Sequence, residues 1–441
     1  MAATPTPPEP GRRPVARHAR RTHRHPLLRM LSLAAVLVSV VATSVVGVGA
    51  FTVWDAATAL GSNAVVLDEE RELPPSLGAI EGGVNILMVG TDSCEGQDLE
   101  LFPRCAEDDG GERNDVTMLV HISDNPRRVT VVSFPRDMIV PIPACSDGQG
   151  GEYPAMTAQM LNASYLEGGL ACTARTIEEL TGERIHFAAA IRWTGVINMS
   201  DAIGGVDVCV SGDVSDRHTG LELTAGNHTL VGAEALQFLR MRHGIGDGSD
   251  LGRISNQQQF MSSMVRKLQS DAVLANPSAL FTLATTAVDQ VSQGQLVLSS
   301  GLTNPTLMVQ IAMAAKDVAY EDIVFVQYPT VYSVDGVHVQ PVTETADVLF
   351  QALRDNEPLT LTGEASQGYG VEVTGEADKP EPDAAPDAEA TASPSPADTA
   401  APSPTSSPSP PAVDESEERV ALPSDIAGTT AAQVTCTVPE G

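Results

Sequence analysis

Six short apolar runs, at 84–90 (VNILMVG), 115–122 (DVTMLVHI), 127–134 (RRVTVVSF), 187–193, 205–210 and 323–328, alternate with segments of helical periodicity at 156–167, 171–181, 195–203, 232–240, 253–269 and 304–316. Runs that are short and continuously apolar suit strands buried on both faces. Such strands need a helical layer on each side, so the pattern predicts a single α/β/α domain over residues 81–361. The turn-rich DNPRR at 124–128 suggests a hairpin. A hairpin between neighbouring strands makes the central sheet mixed rather than purely parallel.

The flanks differ in character. Residues 30–54 carry no charge, and as a helix rising about 1.5 Å per residue they would cross a hydrocarbon core of roughly 30 Å. Seven arginines and one acid, Glu9, precede this run, while Asp55 and Asp68 follow it. That bias predicts one transmembrane helix, residues 1–29 in the cytoplasm and everything from residue 55 outside the cell membrane. A cleaved signal peptide is the rival reading, given Gly47, Gly49 and Ala50, but its apolar core usually runs to about 7–15 residues. Residues 55–80 read as a stalk. Residues 362–425 read as a disordered linker rich in Pro, Ala, Ser and acids, because no aromatic follows Tyr369; residues 426–441 form a short C-terminus with one cysteine.

With 57 acids against 26 Lys plus Arg, and its basic residues concentrated at the N-terminus, the chain is no nucleic-acid binder. Cys94, Cys105, Cys145, Cys172, Cys209 and Cys436 all follow the apolar run, where disulfides are the default. No Cys-x-x-Cys pair occurs and no His stands at ligand spacing from them, which excludes a zinc motif. The pairing is open from sequence. Proximity favours Cys94 with Cys105, then Cys145 with Cys172, and leaves Cys209 with Cys436, a pair that requires the tail to fold back.

Walker A, Gly-x-Gly-x-x-Gly, His-Glu-x-x-His and Gly-x-Ser-x-Gly motifs are absent. Acids and arginines at element ends stand out instead. Asp92 follows the first strand and Asp115 opens the second, so adjacent strands bring two hard oxygen ligands to one sheet edge, a set that suits Mg²⁺. Arg113, Arg136, Arg240, Arg242 and Arg253 cluster at other termini, with Gln257 one turn beyond Arg253 and Asp250 just before it. Arginine forks match phosphate oxygens, and several of them can hold a pyrophosphate. Taken singly, each arginine is better explained by a structural salt bridge.

GTDS (90–93), RNDVTMLVHI (113–122), SFPRD (133–137), AIGGVDV (202–208) and RMRHGIGDGSDLGRISNQQ (240–258) resemble, in order and spacing, the signature blocks of the LytR-CpsA-Psr family, strongly over residues 81–270. The Ala, Pro and acid bias fits an actinobacterial type. The resemblance implies a membrane-anchored extracytoplasmic phosphotransferase that moves a polyprenyl-pyrophosphate-linked glycopolymer onto peptidoglycan with magnesium, or manganese in its place. It assigns the metal to Asp92 and Asp115, the pyrophosphate to Arg113, Arg136, Arg240, Arg242, Arg253 and Gln257, and catalysis to Asp250 with Arg240 and Arg242. It also implies an apolar tunnel for the prenyl chain, for which residues 304–316 supply one candidate wall.

Two positions depart from the family pattern: Cys94 and Asn256 stand where arginines are common. Asp250 is read as either the proton acceptor or an orienting group, since an acid among arginines is a weak base. The alternatives are a lipid pyrophosphate phosphatase that transfers to water, and a non-catalytic wall protein that binds glycopolymer or regulates. The glycopolymer itself, whether teichoic acid, capsule, arabinogalactan or protein-linked glycan, is not written in any motif.

Overall fold

Strands form where short apolar runs can be covered on both sides, and eleven of them build the two larger sheets among the described residues. In chain order they are β1 (Val84–Thr91), β2 (Asn114–Ile122), β3 (Val129–Phe134), β4 (Phe187–Ile191), β5 (Val206–Val210), β6 (Gly226–Leu230), β7 (Leu296–Leu298), β8 (Ile323–Gln327), β9 (Val371–Glu376), β10 (Gly428–Thr430) and β11 (Gln433–Thr437). The helices are α1 (Ala163–Thr181), α2 (Trp193–Ala202), α3 (Gly232–Arg240), α4 (Asp250–Gln269), α5 (Pro277–Ser292), α6 (Pro305–Lys316) and α7 (Thr343–Arg354). This computed structural model describes residues 60–61, 64–67, 76–107, 111–377 and 419–441, apart from 81, 148–149, 271–272 and 274–275.

The central sheet runs β7-β4-β1-β2-β3-β8-β10. It is mixed, as the hairpin signal predicts: β1, β2 and β3 are antiparallel neighbours, whereas β4 lies parallel to β1 and β8 parallel to β3. Side chains alternate across it. Leu87 and Val89 enter one core with Leu170 and Ile177 of α1 and Leu349 and Phe350 of α7. Ile86, Met118 and Val131 enter the other with Leu302 and Leu307, against Met261 and Val265 of α4. Burial on both faces is why these strands read as unbroken apolar runs.

A second sheet, β6-β5-β11-β9, packs on α3 and α4 through Val206, Val208, Phe238 and Phe260. Helix α4 therefore serves both sheets. Its polar run Asn256 to Gln259 is buried, and each side-chain amide nitrogen finds an acceptor. Asn256 Nδ2 donates to Phe238 O, Gln257 Nε2 to Leu239 O, Gln258 Nε2 to Ser133 Oγ, and Gln259 Nε2 to Cys209 O and Thr435 O.

Several boundaries differ from the sequence reading. Residues Met156–Met160, expected as helix, form a strand antiparallel to Ile139–Ile142; α1 begins at Ala163 and kinks at Gly168 and Gly169. A Cβ at Gly168 would collide with Cys172 and Cys145, so the kink seats that disulfide. Helices α5 and α7 were not anticipated. Within the expected stalk, Val65 bonds across Leu298 and Ser300, and Leu60 and Leu77 enter the core.

The expected linker also contains folded chain. β9 lies inside it, and Val420–Ala421 pairs with Leu359–Thr360. Small aliphatic side chains do there what aromatics do elsewhere: Val371, Leu422, Ile426, Ala427 and Ala431 are buried. The tail does fold back, and Cys209–Cys436 joins the other two disulfides, Cys94–Cys105 and Cys145–Cys172. The apolar run 30–54 and residues 378–418 lie outside the described residues; among those described, no helix is long and apolar enough to cross a membrane.

Candidate active site

The β1–β2 pairing breaks at its end. Gly90 pairs with Val116 and Thr91 with Asn114, which leaves Asp115 as the extra residue of a β-bulge. Bulges re-aim side chains. Asn114, fully buried, holds the bulge from below, donating to Thr117 Oγ1 and accepting from Tyr165 N. Opposite, Asp92 is tied to Arg113 twice through the backbone: its N–H donates to Arg113 O, and its Oδ1 accepts from Arg113 N. Burial first, then the nearby Asp115 charge, raises the Asp92 pKa despite those amide bonds.

Behind Asp115 the guanidiniums converge. Asp115 Oδ1 accepts from Arg136 Nη1 at 2.6 Å, and the Asp115 carbonyl accepts from Arg253 Nη2 at 3.0 Å. Asp250 lies between the same two arginines, 2.7 Å from Arg253 Nη2 and 3.4 Å from Arg136 Nε. It opens α4, whose N-cap Ser249 accepts from Gly252 N. Burial alone would lower the Arg136 pKa, but Asp115, Asp250 and Asp137 hold it above its ordinary value.

Arg240, the last residue of α3, is different. Its guanidinium rests on the Trp193 ring, 4.1 Å from the centroid, and burial lowers its pKa although Asp115 and Asp92 oppose the shift. It faces a cleft of about 790 Å³ together with Asp92 and Asp115. The loop closed by Cys94–Cys105 supplies the cleft with Leu101, Phe102 and Arg104, and α3 supplies Leu236. Charged side chains, Asp92, Arg104, Glu107, Asp115 and Arg240, thus share the cleft with the apolar Leu101, Phe102, Trp193 and Leu236. The expected wall at 304–316 is not part of it: α6 packs on the far core, with Val309 and Met313 exposed.

Of the remaining predicted residues, Arg242 donates Nε to Gly248 O and its backbone N–H to Asp216, while the Arg113 side chain is exposed. Gln257 does not line the cleft. It is 2 % exposed and holds the carbonyl one residue before Arg240, so the structure gives it a positioning role.

The model of the LytR_cpsA_psr family matches residues 58–354. The chain belongs to the LytR-CpsA-Psr family. The cell wall biosynthesis protein LcpA of Corynebacterium glutamicum is 30% identical over 279 residues, 58% of this chain and 52% of that protein. The polyisoprenyl-teichoic acid–peptidoglycan teichoic acid transferase TagU of Enterococcus faecalis is 25% identical over 246 residues, covering 56% of this chain and 73% of that protein. The structure of a LytR-Csp2A-Psr enzyme from Actinomyces oris superposes with a TM-score of 0.46 at 24% identity, over 62% of this chain and 90% of that one. The chain spans about half the length of LcpA.

Both departures from the LytR-CpsA-Psr pattern have structural partners here. Cys94 closes the loop that walls the cleft. Asn256 is fully buried, and its Oδ1 accepts from Thr437 Oγ1 of β11, a strand beyond the matched residues. Three residues of the site were not singled out from sequence. Trp193 supports Arg240; Asp216 accepts from the N–H groups of Arg242 and His243; and Asp137, its pKa raised by burial and by Asp250, adjoins Arg136. Asp137 had a signal, since it closes the SFPRD block. The other two become site residues only through tertiary packing.

Proposed function

We propose that this chain is a phosphotransferase that moves a glycopolymer from a polyprenyl-pyrophosphate carrier to peptidoglycan, outside the membrane to which residues 30–54 anchor it. The observation that carries this is the cleft in which Asp92, Asp115, Arg104 and Arg240 meet Leu101, Phe102 and Leu236. A ligand with a phosphate head and a hydrocarbon chain matches both kinds of lining. The relatives' activity in cell-wall assembly supports the same reading.

Arg240 meets the pyrophosphate with a charge that Trp193 orients. Arg136 and Arg253 are fixed by Asp115 and Asp250, and they hold the positive potential behind the phosphates. A muramic acid hydroxyl attacks the sugar-proximal phosphorus, and the bond to polyprenyl phosphate breaks. Asp250, with both carboxylate oxygens buried, fixes the guanidiniums of Arg136 and Arg253; Asp137, whose proton affinity burial raises, stands beside them and accepts the hydroxyl proton. Asp92 and Asp115 fit magnesium, or manganese, which commonly takes one or two carboxylates and completes its shell with water and substrate phosphate. The ion would neutralise phosphate charge. Among the described residues no group of three metal-binding side chains exists, so such an ion relies on substrate for further ligands.

The test uses the full-length chain, a labelled polyprenyl-pyrophosphate glycan, peptidoglycan and magnesium. Label should reach the wall, and Asp115→Ala and Arg240→Ala should each reduce it by about 100-fold. Undiminished wall label in both variants would sink the assignment. Soluble phosphorylated glycan in place of wall label would make the protein a phosphatase.

A further inference from the structure

A second cleft, of about 740 Å³, has Asp247 from the loop before α4 and Leu251 from the first turn of α4 in its wall. Most of its remaining wall comes from residues 362–369 and 424–427, beyond the 58–354 that match the family. It belongs to the part of the chain that folds back.

It lacks the arginines of the first cleft. Among the described residues no Lys, Arg or His lines it, whereas Asp247, Glu364 and Asp425 do, all three exposed. Two tyrosines flank it: Tyr332 is 49 % exposed and Tyr369 68 %. Tyr369 is held at φ 53, a left-handed backbone that a bulky residue rarely adopts, between Gly368 and Gly370 packed on Gly252. In its wall, Gln367 Oε1 and Thr330 Oγ1 are buried with no hydrogen-bond partner. Buried oxygens left unpaired are costly, and a ligand bearing hydroxyl groups would satisfy them.

We propose that this cleft binds a saccharide, the uncharged glycan backbone of the acceptor. Tyrosine faces suit the C–H faces of sugar rings, and carboxylates accept hydroxyl protons. With three acids and no cation this cleft repels phosphate, whereas the first cleft offsets its acids with Arg104 and Arg240. Two ligands of different charge are thereby directed to different clefts. This assignment rests on the transfer to peptidoglycan proposed above.

The test is titration of the full-length chain in detergent with a soluble GlcNAc–MurNAc glycan fragment whose lactyl carboxylates are amidated, followed by calorimetry. Tyr369→Gly removes the ring and relaxes the left-handed backbone, so it spares the fold; Glu364→Gln removes one charge. Wild type should bind, and each variant should bind at least tenfold more weakly, while affinity for the polyprenyl-pyrophosphate donor stays within twofold of wild type. Saccharide affinity within twofold of wild type in both variants, or no binding by wild type, overturns the proposal. A wild type that labels wall but fails this titration overturns the saccharide cleft alone; one that binds the fragment and labels no wall overturns the transferase reading instead.

Discussion

Asp115 connects three elements through one residue: its carboxylate accepts from Arg136, its carbonyl accepts from Arg253, and its place in the β1–β2 ladder is a bulge. Replacement by Asn keeps the shape and removes the charge. Asp115→Asn should therefore fold, with stability lowered by about 1 kcal/mol because the pair is partly solvated, while transfer falls by about 100-fold; thermal unfolding beside wall labelling checks both. Asn256 makes the contrast. Its amide bridges α3 and β11, so Asn256→Ala should cost about 2 kcal/mol in denaturant unfolding by removing two buried hydrogen bonds. Asp92, Asp115 and the arginines were legible because they occupy element ends within recognisable blocks. Trp193 and Asp216 were not, because an aromatic under a guanidinium and an acid under a turn acquire meaning only when distant segments meet.

At the scale of elements, the strands of the central sheet could be read from their unbroken apolar runs, and the C-terminal strands could not. β9, β10 and β11 are short, free of aromatics and separated by residues 378–418, so composition concealed their pairing. β11 nonetheless lies between β5 and β9, and the chain after it bonds to the loop that precedes Asp250, through Gly246 N to Val438 O and Glu440 N to Gly244 O. Cys209–Cys436 fastens β11 to β5 across a separation of 227 residues. Cys209→Ser with Cys436→Ser should lower stability by about 2–5 kcal/mol, read in guanidinium unfolding. Because the loop carrying Arg242 and leading to Asp250 rests on that strand, transfer activity should fall in the same double variant.

For the whole molecule, the central sheet buries a histidine that sets an acid limit on stability. His121, on β2, is 4 % exposed, and burial, helped by His186, pushes its pKa down to about 4. A folded pKa below the unfolded value of about 6.5 means that the unfolded chain takes up the proton first, so stability is lost as pH falls from 6.5 towards 4, by about 3 kcal/mol. Denaturation midpoints across that range should show the loss, and His121→Gln should flatten it. The account turns on what leaves the first cleft. The most direct measurement is ³¹P NMR of the full-length chain turning over a polyprenyl-pyrophosphate glycan with peptidoglycan and magnesium. The account predicts polyprenyl monophosphate together with a new phosphodiester on the wall. Polyprenyl monophosphate beside a free glycan phosphomonoester, with no phosphodiester, would contradict it.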